Sequence, residues 1–321
     1  MTSRSPVRLV AAVVLGILVL TALGCSSAAP VTGGAGVGGS APGTGVLGGP
    51  CPVASVRVVV SVDQWSDMVR QLGGQCTQVT TVLTNSAADP HEFEPSAGDV
   101  ASFGGAQLVV VNGAGYDTWA AKSIDTLATR PPVVDAGAVV GAAEGANPHL
   151  WYSPADVDKV ADALTSRLRG LAPGAASYFD ERAAAWKVTL QPYRDAIAAV
   201  QQRSRGRAYG ATESVYDLMT QIVGLRDVTP AGFRQAATNH SEAAPGDVHE
   251  FEQTLAGHGL NVLIFNTQTE GAIPQQLRDA ARSAGVPVLD VTESAPANTS
   301  FVQWQVGQLR DLEAALGPPG A

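Results

Sequence analysis

The sequence predicts an α/β fold with two lobes, each a parallel β-sheet flanked by helices, joined by a long linking helix. From residue 55 onward, short runs rich in valine, isoleucine and leucine alternate with helix-length stretches. This alternation is typical of parallel strands connected by crossover helices. It stops at residues 175–203, where one long polar helical stretch intervenes, and then starts again. Two sheets separated by a helix follow from this order.

The first lobe is predicted over residues 53–174. Its strands are expected in SVRVVVSV, TQVTTVLT, QLVVVNG and PPVVDAG, which are apolar and short enough to be buried strands. Glycine pairs close the intervening helices, where a C-terminal cap is expected. A longer helix, PADVDKVADALTSRLRGL, is begun by Ser153-Pro154, a typical N-terminal signal.

The linking helix is predicted over residues 175–204, in AASYFDERAAAWKVTLQPYRDAIAAVQQR. Pro192 lies inside this stretch. Because proline has no N–H and its ring crowds the preceding turn, Pro192 should kink the helix or divide it in two.

The second lobe is predicted over residues 205–321. RAYGAT, LNVLIFN and VPVLDVTE are its expected strands, and SVYDLMTQIVGL, GDVHEFEQTLAGHG and IPQQLRDAARSAG its expected helices. A last helix is predicted from about Thr299 to Leu316.

Residues 1–24 have the features of an export signal. Arg4 and Arg8 precede a run of 15 mostly apolar residues, which is short for a membrane span of about 20. Cys25 follows a glycine, as in a bacterial lipoprotein box, although Ala22 occupies the usual leucine position. We expect Cys25 to be lipidated, and residues 25–52, which are rich in glycine, to form a flexible tether. The bulk of the chain should therefore be exported and anchored to the cell membrane; an uncleaved N-terminal anchor is the alternative.

The charge balance argues against nucleic acid as a partner. Without residues 1–24, which hold two arginines and no acids, 18 basic residues face 29 acidic ones, for a net charge of −11. Polyanions would be repelled, whereas cationic ligands fit this balance.

Cys51 and Cys76 remain once Cys25 is assigned to lipid. Two cysteines in an exported protein more often form a disulfide than a reactive site. Each precedes a predicted strand, so a bridge is within reach if those strands are parallel neighbours.

The tetrapeptide HEFE occurs twice, and only the first copy has the setting of a binding site. In the second copy, Val248, Phe251 and Leu255 recur at helical spacing, which leaves His249 on a solvated face. In the first copy, His91 follows Pro90 beyond a predicted strand, and ligands bind at the carboxyl ends of strands in open α/β sheets.

Three more side chains occupy equivalent places. His149 lies in NPHLWYSP just ahead of a helix, Glu213 follows strand RAYGAT, and Glu293 ends VPVLDVTE. If the lobes face each other, two imidazoles and two carboxylates converge on one cleft, where they would neutralise and ligate a divalent cation.

These motifs resemble the zinc/manganese receptor proteins of bacterial ABC importers, across nearly all of the chain after Val56. DPHEFEPSAGDV and NPHLWYSPADV are similar to family segments that carry histidine ligands, which implies His91 and His149. The family's third ligand, histidine or glutamate, corresponds to Glu213. Its fourth is usually aspartate, where this sequence has TES; Glu293 matches by position, and Asp290 is the substitute.

The resemblance implies a monomeric, non-enzymatic receptor that captures zinc or manganese, with iron as a further candidate, between two lobes. It would deliver the ion to an ABC import permease and its cytoplasmic ATPase. Two readings compete with it: a surface lipoprotein or adhesin with no transport role, and a metal-dependent hydrolase. The sequence has no HExxH motif, and a closed four-ligand site would leave no position for a substrate.

Overall fold

The computed structural model describes residues 49–84, 93–143, 145–239, 241–269 and 271–318. His91, Cys25 and the export signal lie outside these ranges, so the predictions made for them stay predictions. Within the described ranges, none of the helices combines the length and the apolar character needed to cross a bilayer.

The first lobe is built on a four-stranded parallel sheet of order β2-β1-β3-β4. Its strands are β1 (Val56–Val62), β2 (Thr77–Leu83), β3 (Leu108–Val111) and β4 (Val133–Asp135). The flanking helices are α1 (Ser66–Gly73), α2 (Ala97–Gly104), α3 (Thr118–Asp125), α4 (Ala136–Val140) and α5 (Pro154–Leu171). The central strands are almost wholly buried, which explains their continuous apolar runs.

The linking segment forms two helices, α6 (Ala176–Thr189) and α7 (Gln191–Ser204), separated at Leu190. Pro192 lies in the first turn of α7, where its missing N–H costs least. The Arg194 guanidinium donates to the Lys187 carbonyl across the break, at 3.1 Å. Of the two outcomes predicted for Pro192, a kink or a division, the linking helix shows division, because proline interrupts the backbone hydrogen bonds there.

The second lobe repeats the architecture with a parallel sheet of order β6-β5-β7-β8. Its strands are β5 (Ala208–Ala211), β6 (Arg226–Asp227), β7 (Val262–Asn266) and β8 (Val288–Val291). The helices of this lobe are α8 (Asp217–Val223), α9 (Ala231–Thr238), α10 (Pro245–Ala256), α11 (Ala272–Ser283) and α12 (Phe301–Leu316). The predicted α/β fold with two parallel sheets is confirmed.

The two linking helices belong to different lobes. Helix α6 packs on α1 and α5, whereas α7 packs on α8 and α12. Apolar contacts nevertheless continue from one to the other, because the Phe301 ring lies 6.0 Å from those of both Trp186 and Tyr193. The Asp67 carboxylate of α1 also accepts a hydrogen bond from the Phe301 N–H, at 2.9 Å. The lobes are thus joined by packing as well as by the chain.

Cys51 and Cys76 form a disulfide, with their Cα atoms 4.9 Å apart. Strands β1 and β2 are parallel neighbours whose first residues, Val56 and Thr77, are paired. This register brings the segments that precede the two strands together. Closing a loop of this length stabilises a protein by roughly 3 kcal/mol.

Candidate metal site

The strand order of the second lobe brings two acidic side chains to one edge of the sheet. Strand β5 ends two residues before Glu213, and β8 ends two residues before Glu293. Strand β7 lies between them and ends at Asn266, which pairs with Val291 of β8. Glu213 therefore lies just beyond the end of the strand on one side of Asn266, and Glu293 just beyond the end of the strand on the other side.

His149 enters from the first lobe and is held by a local turn. His149 is 5% exposed and precedes the short 3-10 helix Leu150–Tyr152. Asn147 Oδ1 accepts hydrogen bonds from the His149 backbone N–H at 3.0 Å and from Nδ1 at 2.7 Å. Because Oδ1 can only accept, Nδ1 carries a proton; in the neutral imidazole the lone pair is then on Nε2, which is the arrangement of a ligating histidine.

His149 and Glu293 meet between the lobes. The distance from His149 Nε2 to Glu293 Oε2 is 3.7 Å, and Glu293 is 6% exposed. The Tyr116 hydroxyl donates to the same Oε2 at 2.8 Å. The Gln268 amide oxygen accepts from the backbone N–H groups of Glu293 and Ser294, at 2.6 and 3.1 Å, which holds the turn that carries Glu293.

Glu213 is connected to Glu293 through one amide group. Asn266 Nδ2 lies 2.7 Å from Glu213 Oε2 and 2.9 Å from Glu293 Oε1. Burial raises the pKa of Glu213, hydrogen bonds from Asn266 and Thr269 oppose the rise, and the nearby Glu293 adds to it. A bound cation would favour the ionised form of both acids.

Asp290, the substitute fourth ligand, lies elsewhere. Its carboxylate is paired with Arg278 Nη2 at 2.6 and 2.8 Å, and its side chain is 48% exposed. Alternation along β8 turns this side chain away from the buried residues Leu289 and Val291. The position of Glu293, beside His149, suits a ligand better.

Of the four predicted ligands, the structure describes three and brings His149 and Glu293 together directly, with Glu213 one amide away. Within the described ranges, no three His, Cys, Asp or Glu side chains are close enough to hold a metal. His91 lies outside these ranges. His249, of the second HEFE, is exposed on α10, while Val248, Phe251 and Leu255 are buried, as the sequence predicts.

Sequence reasoning missed three residues that form hydrogen bonds with the predicted ligands: Asn147, Asn266 and Tyr116. Asn147 is part of NPH and Asn266 ends the strand LNVLIFN, so both stand beside strand ends or predicted ligands. These positions could have marked both asparagines as candidates, but their hydrogen-bond partners could not be predicted because they depend on which loops meet in the fold.

The fold and this buried group of acids and imidazole are those of a bilobed solute-binding protein. The chain belongs to the family described as zinc-uptake complex component A, periplasmic, whose sequence profile it matches over residues 58–315. The family consists of receptors for metal uptake and not of enzymes, so the prediction of a non-enzymatic binding protein is confirmed.

Curated relatives include the zinc-binding lipoprotein AdcA of Streptococcus pneumoniae, 23% identical over 280 residues, which covers 79% of this chain and 54% of AdcA. The manganese-binding lipoprotein MntA of Halalkalibacterium halodurans is 22% identical, covering 60% of this chain and 65% of MntA. The chain thus spans about half the length of AdcA. The periplasmic zinc-binding protein TroA of Treponema pallidum has the same fold, with a TM-score of 0.69 at 20% identity, over 83% of this chain and all of TroA.

Proposed function

We propose that this protein binds a divalent transition-metal ion, zinc or manganese, between its lobes and delivers it to an ABC import permease. The proposed ligands are His91, His149, Glu213 and Glu293. The observation that carries the proposal is the buried approach of His149 Nε2 to Glu293 Oε2, at 3.7 Å, from opposite lobes. An imidazole oriented by an amide oxygen and a carboxylate oriented by a tyrosine are a typical ligand pair with its supporting hydrogen bonds.

The donor set suits capture rather than catalysis. Two neutral imidazoles and two carboxylates neutralise a divalent cation and provide the four ligands of a closed zinc site. A site of this kind leaves no vacancy for a substrate or an activated water. The ion would be enclosed as cargo, and its release would require the two lobes to separate.

The family and the N-terminal sequence support membrane attachment and the proposed partners. Lipidation of Cys25 would tether a monomeric receptor to the outer face of the cell membrane through residues 25–52. AdcA and MntA are both named lipoproteins, which supports this anchoring. The permease and its cytoplasmic ATPase would then receive the ion from a receptor already held at the membrane.

The proposed cargo is zinc or manganese, with iron as a further candidate. Relatives are named for each: AdcA for zinc, MntA for manganese, and YfeA of Yersinia pestis for iron. Carboxylate donors suit manganese better than imidazole donors do. The Irving–Williams order nevertheless predicts that the same site binds zinc more tightly than manganese in vitro. Metal analysis of protein purified from its native membrane would identify the ion that is carried.

The proposal is tested with His91→Ala and Glu213→Ala in competition titrations with zinc and manganese, with His249→Ala as the matched control. We expect both ligand variants to lose affinity by at least about 100-fold, because each leaves the cation short of a donor. Full affinity in both would refute the ligand set. If adding zinc or manganese leaves the melting temperature of the chelator-treated protein unchanged, the alternative of a surface lipoprotein or adhesin without a transport role is favoured.

A further inference from the structure

Asn266 lies between the two proposed acidic ligands, where it does more than fill space. It is the last residue of β7, the strand flanked by β5 and β8, and it is 3% exposed. The two neighbouring strands carry Glu213 and Glu293 just beyond their ends. Any side chain at residue 266 therefore faces the gap between the two acids.

The amide of Asn266 donates both of its N–H groups to these acids. Nδ2 is 2.7 Å from Glu213 Oε2 and 2.9 Å from Glu293 Oε1, so each proton has its own carboxylate. Each acid thereby keeps one oxygen that the amide does not engage. Two carboxylates this close would otherwise repel each other in a buried setting.

The orientation of the amide is also fixed from its other side. Asn266 Oδ1 accepts a hydrogen bond from the Gln268 backbone N–H at 3.1 Å. A flipped amide would set Oδ1 against two carboxylates and the NH2 group against a backbone N–H, which breaks three hydrogen bonds. Gln268 in turn accepts from the N–H of Glu293 at 2.6 Å, so the same short segment holds both the bridge and one ligand.

We propose that Asn266 is a positioning residue that sets the spacing of Glu213 and Glu293 before the metal arrives, and thereby tunes affinity and ion selectivity. This inference rests on the proposed function. A fixed spacing between two donors favours cations whose radius fits it, and preorganised ligands need little rearrangement on binding. Asn266 acts through the two acids and is not itself a ligand.

The test uses Asn266→Ala and Asn266→Asp in the full chain, with Asn261→Ala as control. Asn261 stands just before the opposite end of the same strand, where its Oδ1 accepts from the Ala208 N–H at 2.8 Å. Dissociation constants for manganese and zinc are measured by competition, and the unfolding of chelator-treated protein is measured in parallel. The Mn/Zn ratio reports on spacing, which a purely structural role would leave unchanged.

Asn266→Ala should weaken binding by about 10–100-fold, the usual effect of removing a group that orients a ligand, and should shift the Mn/Zn ratio by more than about threefold. Asn266→Asp has the same shape but replaces the donor with a repelling oxygen, so it should lose at least as much. Asn261→Ala should stay within about threefold of wild type.

Wild-type or tighter binding by Asn266→Asp, or an unchanged Mn/Zn ratio in Asn266→Ala, would overturn the inference. Should Glu213→Ala lose affinity while both Asn266 variants keep it, the metal site stands and only the role of Asn266 fails. Should Glu213→Ala also keep full affinity, the proposed function itself fails. If Asn266→Ala does not fold, the isosteric Asn266→Asp decides the matter.

Discussion

The two lobes use asparagine in opposite ways around the proposed metal site. In the first lobe, Asn147 offers its oxygen to His149 and its Nδ2 to the Ser214 carbonyl of the second lobe, at 2.7 Å. In the second lobe, Asn266 offers its Nδ2 to two acids and its oxygen to its own turn. An imidazole needs an acceptor behind it, whereas paired carboxylates need a donor between them. The difference shows that the chemistry of each ligand dictates which end of the amide faces it.

The largest expected effect separates Glu293 from Asp290. Glu293→Ala should weaken metal binding by about 1,000-fold, or about 4 kcal/mol, because it leaves His149 and Tyr116 facing a buried gap. Asp290→Ala should change metal affinity by less than about threefold, since the Asp290 carboxylate is half-exposed and is paired with Arg278 instead. Competition titration compares them, and equal losses in both would undo the choice of Glu293.

Asn147 variants sharpen the contrast between acceptor and donor. Asn147→Ala should lose about 10–100-fold in affinity, because the Nδ1 proton of His149 loses its acceptor. Asn147→Asp retains an acceptor and should lose less than Asn147→Ala, whereas Asn266→Asp should lose at least as much as Asn266→Ala. Isothermal titration with manganese measures all four. The same rank order at both positions would contradict the contrast.

The interface between the lobes should also make stability depend on pH. Burial raises the pKa of Asp63 from its ordinary 3.8 to about 6, opposed by a hydrogen bond from Ser294 of the second lobe. The folded protein then binds the extra proton between about pH 4 and 6, so stability from this group is full below pH 4 and falls as pH rises through 6.

Asp63→Asn removes this dependence. It should stabilise the chelator-treated protein at pH 7 by about 1–2 kcal/mol, less than the roughly 3 kcal/mol implied in full, because the carboxyl keeps some solvent contact. Urea unfolding at pH 4.5 and 7 measures the effect. A gain of equal size at both pH values would show that the proton on Asp63 is not the cause.

The smallest expected effect belongs to the second HEFE. His249→Ala should leave both metal affinity and the free energy of unfolding within about 0.5 kcal/mol of wild type, because His249 lies on the exposed face of α10. Titration and urea unfolding measure the two quantities. A clear loss of metal affinity in His249→Ala would contradict the prediction that the second HEFE takes no part in metal binding.

The sequence predicted the sheets, the alternation of helices and the strand ends at which the acids lie, because periodicity and parallel topology are local properties read over a few residues. It did not predict Asn147, Asn266 or Tyr116, whose hydrogen bonds join loops far apart in the chain. The linking helix was predicted in part. The chemistry of Pro192 predicts a break, but the location of the break at Leu190 and the packing of each half on a different lobe depend on tertiary contacts.

The disulfide between Cys51 and Cys76 would have a mechanical consequence for a receptor anchored as proposed, through lipidated Cys25. Tension transmitted along the chain at residue 50 reaches this covalent clamp before it reaches the backbone hydrogen bonds of β1. The disulfide would share such a load between the starts of two adjacent strands, so a pull from the proposed membrane anchor would meet a covalent bond before it acted on the pairing of β1 with β2.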